Sequence, residues 1–354
     1  MKVAFVIRSS ARNGVGGDFV QYEETARELK LLGVEVDTYF ADEVIDYPQY
    51  SLLHFFNLIR PADILRHIDR TETPYVVSTI FVEYRMKQRS SRLILDSMEY
   101  IKYLARVLLR HEPRISWRYL FMGHRRSIAE VAGRARVLLP NSDSEGRRVR
   151  EYLGSAHPLM RTVPNGVNTD RFDRAQDNPK FEGTVVCVGL FEPRKNQLKV
   201  VQALTELGYP SCFVGSPARD PHYYQQCREA AGSNIQFLQQ VSRDDLASIF
   251  RSARVHVLAS YFETTGLVSL EAAYAGCNIV TTERGDQHDY FEGISFVCDP
   301  DSADSIKAAI RAAYEQPRGA LNGKDVVAER YTWKRAAEVT LLSYKKALEN
   351  ETTA

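Results

Sequence analysis

Short apolar runs alternate with longer amphipathic stretches along nearly the whole chain. Lys2-Val3-Ala4-Phe5-Val6-Ile7, closed by polar Arg8-Ser9-Ser10, predicts a buried strand over 2–8. A Gly-containing loop at 9–17 follows, then a helix at 18–32 ended by Gly33, a residue suited to a helix C-cap, and a strand at 34–40. Leu52-Leu53-His54-Phe55-Phe56 and Tyr75-Val76-Val77-Ser78-Thr79-Ile80 read as the third and fourth strands. Helical stretches at 91–110 and 115–133 precede a strand at 136–140 and a helix at 143–153. After the turn-rich segment Val163-Pro164-Asn165-Gly166-Val167-Asn168 the pattern restarts. Strands at 184–190, 211–215, 234–238, 254–258, 278–282 and 294–298 alternate with helices at 195–207, 220–231, 243–252, 266–276 and 302–316. A final amphipathic stretch, 333–348, has no strand behind it.

Strands that alternate with helices argue for parallel sheets covered on both faces. Two such series predict two Rossmann-like α/β domains, 1–165 and 166–332, with a cleft between them and a last helix, 333–354, that returns to the first. Ligands of open parallel sheets sit outside the carboxyl ends of the strands, so the loops that follow strands are where chemistry is sought.

A length of 354 residues exceeds one ordinary core of about 100–200 residues, in keeping with two domains. The composition is near the globular average and excludes collagen-like, coiled-coil and disordered chains. No apolar run reaches the roughly 18 residues of a membrane span, and the opening run is short for a signal-peptide core. The five cysteines (187, 212, 227, 277 and 298) are odd in number, lack metal-ligand spacing and all fall in the second half, which predicts packed thiols in a reducing cytoplasm.

The net charge of +1 hides an asymmetry. Residues 1–172 hold 26 Lys/Arg against 21 Asp/Glu, and within them 84–136 hold 13 against 4. That stretch is either a solvated helical face or a dock for anionic lipid at the inner face of a membrane or for a phosphate-bearing acceptor. No recognition module accompanies the charge, so nucleic acid is not an expected partner.

The strongest candidate chemistry follows the strand at 254–258: Tyr261-Phe262-Glu263-Thr264-Thr265-Gly266-Leu267-Val268-Ser269-Leu270-Glu271. A helix opening here offers unpaired amides around Thr265, Gly266 and Leu267, and the glycine admits a close ligand, so a pyrophosphate suits it. Glu271, five residues further, could hold a ribose, and Glu263 would face the group at the other end of the diphosphate. A loop glutamate and a solvent-facing helix glutamate explain the same spacing without a ligand. Gly14-Val15-Gly16-Gly17 after the first strand partly matches a dinucleotide fingerprint, but Phe19 stands where the third glycine belongs, which argues against an oxidoreductase. In the first half, His54, Asn57, Glu83 and Tyr84 lie at strand ends as candidate acceptor contacts, with a packed core role the competing reading for His54. Asp299-Pro300-Asp301 reads as a turn and helix start.

The 261–276 segment resembles the E-x7-E motif of retaining GT-B glycosyltransferases of family four, with Glu263 and Glu271 as its two glutamates. Pro164-Asn165-Gly166-Val167-Asn168 with Phe172 resembles that family's connector, and Val188-Gly189-Leu190-Phe191-Glu192-Pro193-Arg194-Lys195-Asn196 its Arg-Lys loop, over about 137–300 in all. Leu190 departs from the family's usual Arg after the first glycine, which leaves the diphosphate to Arg194 and Lys195. The resemblance implies a GT-B fold and retaining transfer of a sugar from a UDP- or GDP-linked donor to a hydroxyl of a saccharide or lipid-linked acceptor, in glycan biosynthesis, without metal or other cofactor. It implies catalytic roles for Glu263, Arg194 and Lys195. It implies donor contacts from Gly16, Gly17, Val241, Thr264, Thr265, Gly266, Leu267 and Glu271 as well. A GT-B nucleotide-sugar epimerase and a non-catalytic nucleotide-sugar-binding scaffold are the alternatives.

Overall fold

The structure, a computed structural model, describes residues 1–13, 16–82, 117–154, 159–217, 220–239 and 241–349. Its contacts divide the chain into two compact units, Met1–Pro164 with Lys334–Ala354, and Asn165–Trp333.

The first unit runs β1 (Lys2–Ile7), α1 (Gly17–Leu31), β2 (Glu35–Phe40), β3 (Leu52–Phe56), α2 (Pro61–Ile68), β4 (Tyr75–Ser78), α3 (Trp117–Arg134), β5 (Val137–Leu139), α4 (Asp143–Leu153) and β6 (Leu159–Met160). Its sheet is parallel with strand order β2-β1-β3-β4-β5-β6. Every residue of β3 and β4 is buried, as expected of strands covered on both faces. The unbroken apolar runs of the sequence arise from that double burial. Helix α2 is absent from the sequence reading; Pro61 opens it at the first turn, and Ile64, Leu65 and Ile68 carry its buried face. Helix α3 is broken at Gly123, whose φ of 71° and ψ of 172° lie outside helical geometry. The helix expected at 91–110, and most of the basic stretch, lie outside the described residues.

The second unit holds α5 (Thr169–Arg174), β7 (Val185–Val188), α6 (Gln197–Leu207), β8 (Ser211–Val214), α7 (Pro221–Glu229), β9 (Ile235–Leu238), α8 (Arg243–Ser252), β10 (Val255–Val257), α9 (Leu267–Tyr274), β11 (Asn278–Thr281), α10 (Gln287–Phe291), β12 (Ser295–Val297), α11 (Ala303–Glu315) and α12 (Gly323–Arg330). Its parallel sheet has the order β12-β11-β10-β7-β8-β9, with one apolar cluster around Val186, Phe250 and Leu270 and another around Val185, Phe213 and Ile310. The five cysteines are unpaired and buried in this unit, and burial pushes each thiol up to about 12. Helix α13 (Trp333–Glu349) returns to the first unit, where its fully buried Tyr344 hydroxyl meets His54 Nδ1 at 2.6 Å.

Chain order reverses between β1 and β3 in the first sheet and between β7 and β10 in the second. At such a switch point the loops leaving two adjacent strands part to opposite faces and open a crevice at their carboxyl ends.

Candidate active site

The loops leaving β7 and β10 meet at the second unit's switch point. Pro193–Lys195 form a single 3-10 turn, and Asn196 follows in the left-handed region at φ 57° before α6 begins at Gln197. The sequence reading starts this helix at 195; the turn instead sets both cations before it. Asn196 holds that conformation because its buried side-chain amide donates to Ala259 O at 3.1 Å and Pro300 O at 2.9 Å. The Tyr261 amide donates to Arg194 O at 2.9 Å, so the two loops are stitched together.

Across that stitch Lys195 Nζ donates to Glu263 Oε1 at 2.8 Å and Arg194 Nη1 at 3.3 Å, while Ser260 Oγ donates to the same oxygen at 3.1 Å. Arg194 also donates to Phe262 O and to the Glu192 carboxylate. Glu263 is 8% exposed. Burial pushes its carboxyl up, but Lys195 and Arg194, with the bonds from Lys195 and Ser260, outweigh that and hold it below the usual value, ionised at neutral pH. The pairing of the Arg-Lys step with Glu263 and Glu192 was not foreseen from the sequence, which aims the two cations at phosphate alone. Ser260 and Glu192 were missed because neither type stands out until the loops are folded together.

The Glu263 backbone bridges to Gly285, and its carbonyl accepts from the Asp286 amide at 2.8 Å. A side chain at Gly285 would place its Cβ 2.0 Å from that carbonyl oxygen, at a φ of 80°. The backbone thus needs glycine at this position.

Gly266, at φ 68°, stands before the first turn of α9 with no side chain capping it. Ser269 and Leu270 amides return to its carbonyl, at 2.8 and 3.2 Å. The amides ahead of them, at Leu267 and Val268, belong to the unpaired set of a helix start. Thr265 is 2% exposed, and its hydroxyl accepts from Asn165 Nδ2 at 2.8 Å. The Asn165 amide in turn donates to Tyr290 Oη at 3.1 Å. The Thr265 side chain is therefore committed to holding Asn165 beside the tip, and only its backbone is left for a ligand. Thr264, Leu267, Val241 and Glu271 are half-buried around or beyond this tip. Beneath it, His256 on β10 is fully buried; its Nε2 lies 3.1 Å from Ser269 Oγ, and burial lowers its pKa to about 3.

The remaining candidates lie in the first unit. Gly16 precedes α1 in extended conformation and Gly17 is its first residue. Asn57, at the carboxyl end of β3, is 8% exposed with φ 81°. Of the two readings of His54 the packed core one holds, which removes it from the acceptor candidates: it is 1% exposed, stacks on Phe56, and its ring nitrogens are taken by Tyr344 Oη and Ser78 Oγ. Burial lowers its pKa to about 3, so it is neutral and has no face toward a ligand. Glu83 and Tyr84 lie outside the described residues. Asp301 donates its amide to Asp299 Oδ1 in a turn, with Ser302 capping α11. Among the described residues no helix is long and apolar enough to cross a membrane, and no group of three His, Cys, Asp or Glu is placed to hold a metal ion.

Residues 168–330 match the family model of glycosyl transferases group 1. Curated D-inositol 3-phosphate glycosyltransferases of Mycobacterium bovis and Mycobacterium tuberculosis are 29% identical over 242 residues, 62% of this chain. The match spans 50% of those relatives, so about half their length is represented here. Among solved structures, sucrose-phosphate synthase from Thermosynechococcus elongatus superposes with a TM-score of 0.77 at 16% identity, over 99% of this chain and 100% of that one. Anabaena Alr3699/HepE in complex with UDP-glucose superposes at 0.69 and 14% identity, over 100% of both chains. At these identities the likeness is one of fold.

Proposed function

We propose, from the match of residues 168–330 to glycosyl transferases group 1 and from the GT-B fold, that the chain is a retaining glycosyltransferase moving a sugar from a UDP- or GDP-linked donor to a hydroxyl acceptor. The observation that carries this reading is the convergence of Lys195 and Arg194 on buried Glu263 beside the glycine tip of α9. The solved relative that holds UDP-glucose supports the donor class. The acceptor is a saccharide or a lipid-linked saccharide, and glycan assembly, without a metal ion, is the setting proposed.

In the proposed reaction the diphosphate rests on the Leu267 and Val268 amides, where the helix dipole favours an anion. Lys195 turns part of its three-donor ammonium from Glu263 to the phosphate; Arg194, held on Phe262 O and Glu192, keeps a fixed positive charge nearby. As the bond from anomeric carbon to phosphate oxygen breaks, negative charge grows on the diphosphate, and cations already fixed in place stabilise it without reorganising. Glu263 accepts three bonds on Oε1, and Oε2 is the oxygen proposed to orient the sugar hydroxyls. Glu271 is proposed for the ribose and the 239–241 region for the base. The acceptor hydroxyl attacks from the face the diphosphate leaves, and its proton passes to the departing phosphate oxygen.

Titration calorimetry of the full chain with UDP and GDP tests this reading. Saturable one-to-one binding of one of them, weakened about tenfold or more in Lys195→Ala, is expected; binding of neither refutes it.

A further inference from the structure

The first unit's switch point carries a polar cluster that the donor reading does not use. Arg8 leaves β1, and its guanidinium grips Asp18 on α1 with two bonds, Nε to Oδ2 at 2.5 Å and Nη2 to Oδ1 at 2.9 Å. Both side chains are largely buried, 15% and 9% exposed. The third guanidinium nitrogen donates to Ser10 Oγ at 2.9 Å, and Asp63 adds a second negative charge in range of Arg8. The cation is thus spent inside the protein. Gly16 is shaped by the same pair: a Cβ there would lie 2.8 Å from Asp18 Oδ1.

Asn57 comes to this cluster from the end of β3. Its φ of 81° lies in the left-handed region, which asparagine enters more readily than most residues with a side chain but still at a cost, on the order of 1 kcal/mol. Its backbone amide is tied to Ser78 O at 2.9 Å. Its side-chain amide lies close enough to the Asp18 carboxylate to help lower that group's pKa. Burial alone would raise the Asp18 pKa; Arg8 and Asn57 more than reverse that, so the carboxylate is a fixed anion. Yet Asn57 Oδ1 is buried and has no hydrogen-bond partner among the described residues. A buried acceptor left unpaired costs about 1–3 kcal/mol. A positive backbone φ and an unpaired buried carbonyl oxygen occur here on one residue, at the crevice where a parallel sheet takes its ligand.

We infer that Arg8, Asp18 and Asn57 form a charge-balanced acceptor subsite in which Asn57 Oδ1 accepts a hydrogen bond from a neutral hydroxyl of a saccharide or polyol. The inference rests on the glycosyltransferase reading for the identity of that ligand. It goes beyond that reading in two respects. Asn57 is a specificity-determining residue for a hydroxyl donor, and Arg8, its charge balanced by the bidentate Asp18 pair, is not a receptor for an acceptor phosphate. A phosphate brought to Asn57 Oδ1 offers acceptors to an acceptor beside a carboxylate, so an unphosphorylated sugar is favoured.

The test uses the full chain saturated with whichever of UDP and GDP it binds, titrated with glucose and mannose and with their 6-phosphates, and observed by ligand-detected NMR. Asn57→Gly is the informative variant, because glycine accepts the positive φ and the variant is expected to melt no lower than the parent. Neutral-sugar binding to the parent is expected to exceed that of the 6-phosphates and to weaken about tenfold in Asn57→Gly, with nucleotide affinity unchanged. Asn57→Asp, which keeps an oxygen but sets a second carboxylate against Asp18, is expected to weaken binding also. Unaltered neutral-sugar binding in Asn57→Gly overturns the inference. Tighter binding of the 6-phosphates overturns it, as does no saturable binding of either neutral sugar to the parent. Binding of neither UDP nor GDP by the parent refutes the donor reading instead, so the two failures are distinguishable.

Discussion

Lys195→Ala removes the ammonium 2.8 Å from Glu263 Oε1 and leaves that carboxylate with Arg194 and Ser260. In the parent, Lys195 and Arg194 balance Glu263 and Glu192. Without Lys195 the cluster carries an excess negative charge before any ligand arrives. A charge-assisted hydrogen bond to a buried partner contributes about 1.5–3 kcal/mol, so UDP or GDP affinity should fall roughly 10- to 150-fold. The loss of a positioned charge stabiliser lowers transfer by a further factor of the order of 100 to 1,000. The same change acts on stability with a defined sign. Glu263 is held ionised chiefly against its own burial, and Lys195 is the largest influence opposing that burial. Without it the carboxyl rises, so Lys195→Ala is less stable than the parent at pH 7. A group with a lowered folded pKa contributes stability above its unfolded pKa and loses it as pH falls through the folded one. The gap between parent and variant should therefore close below about pH 4 as Glu263 becomes protonated in both. Calorimetry with UDP and GDP, release of nucleotide from UDP-glucose or GDP-mannose, and urea melts at about pH 7 and about pH 3 read these effects. Nucleotide affinity within twofold of the parent, or a stability gap that widens on acidification, refutes the reasoning.

Gly285→Ala drives a Cβ to within 2.0 Å of the Glu263 carbonyl and should abolish nucleotide binding while costing several kcal/mol, about the scale of the larger single-site effects; a variant binding UDP or GDP like the parent contradicts the bridge. His54→Phe leaves the Tyr344 and Ser78 hydroxyls unpaired in the core and should cost about 1–3 kcal/mol in urea melts with nucleotide affinity unchanged, whereas unchanged stability contradicts the core assignment. His54 and His256 are neutral when folded, with pKa values near 3, so the unfolded chain binds more protons and stability should fall as pH drops from about 6.5 toward 3. Melts that stay flat across that window refute the burial of both rings.

The alternation of apolar runs and amphipathic stretches made both sheets legible, because parallel strands buried on two faces cannot hide their composition. β3 at Leu52–Phe56 and α8 at Arg243–Ser252 fall where the sequence places them. The short elements α2, α10 and α12 escaped because eight residues or fewer give little helical period to read. In the second unit, Glu263, Arg194 and Lys195 were legible as residues but not as a cluster, since the ion pairs depend on two loops separated by 68 positions. In the first unit, Arg8 and Asp18 read as unremarkable polar residues at the edge of a strand and a helix. Only the order β2-β1-β3 sets them beside Asn57, and only φ at Asn57 shows the strain. His54 carried a type that suggests chemistry, and it took the return of α13 to show that Tyr344 covers it.

The most direct measurement is a crystal structure of the full chain with UDP or GDP bound. The account predicts the diphosphate on the Leu267 and Val268 amides, Lys195 Nζ within hydrogen-bond distance of a phosphate oxygen, and Glu263 still buried at the Ser260 hydroxyl. A diphosphate seated away from the α9 tip, with Lys195 still closed on Glu263, contradicts it.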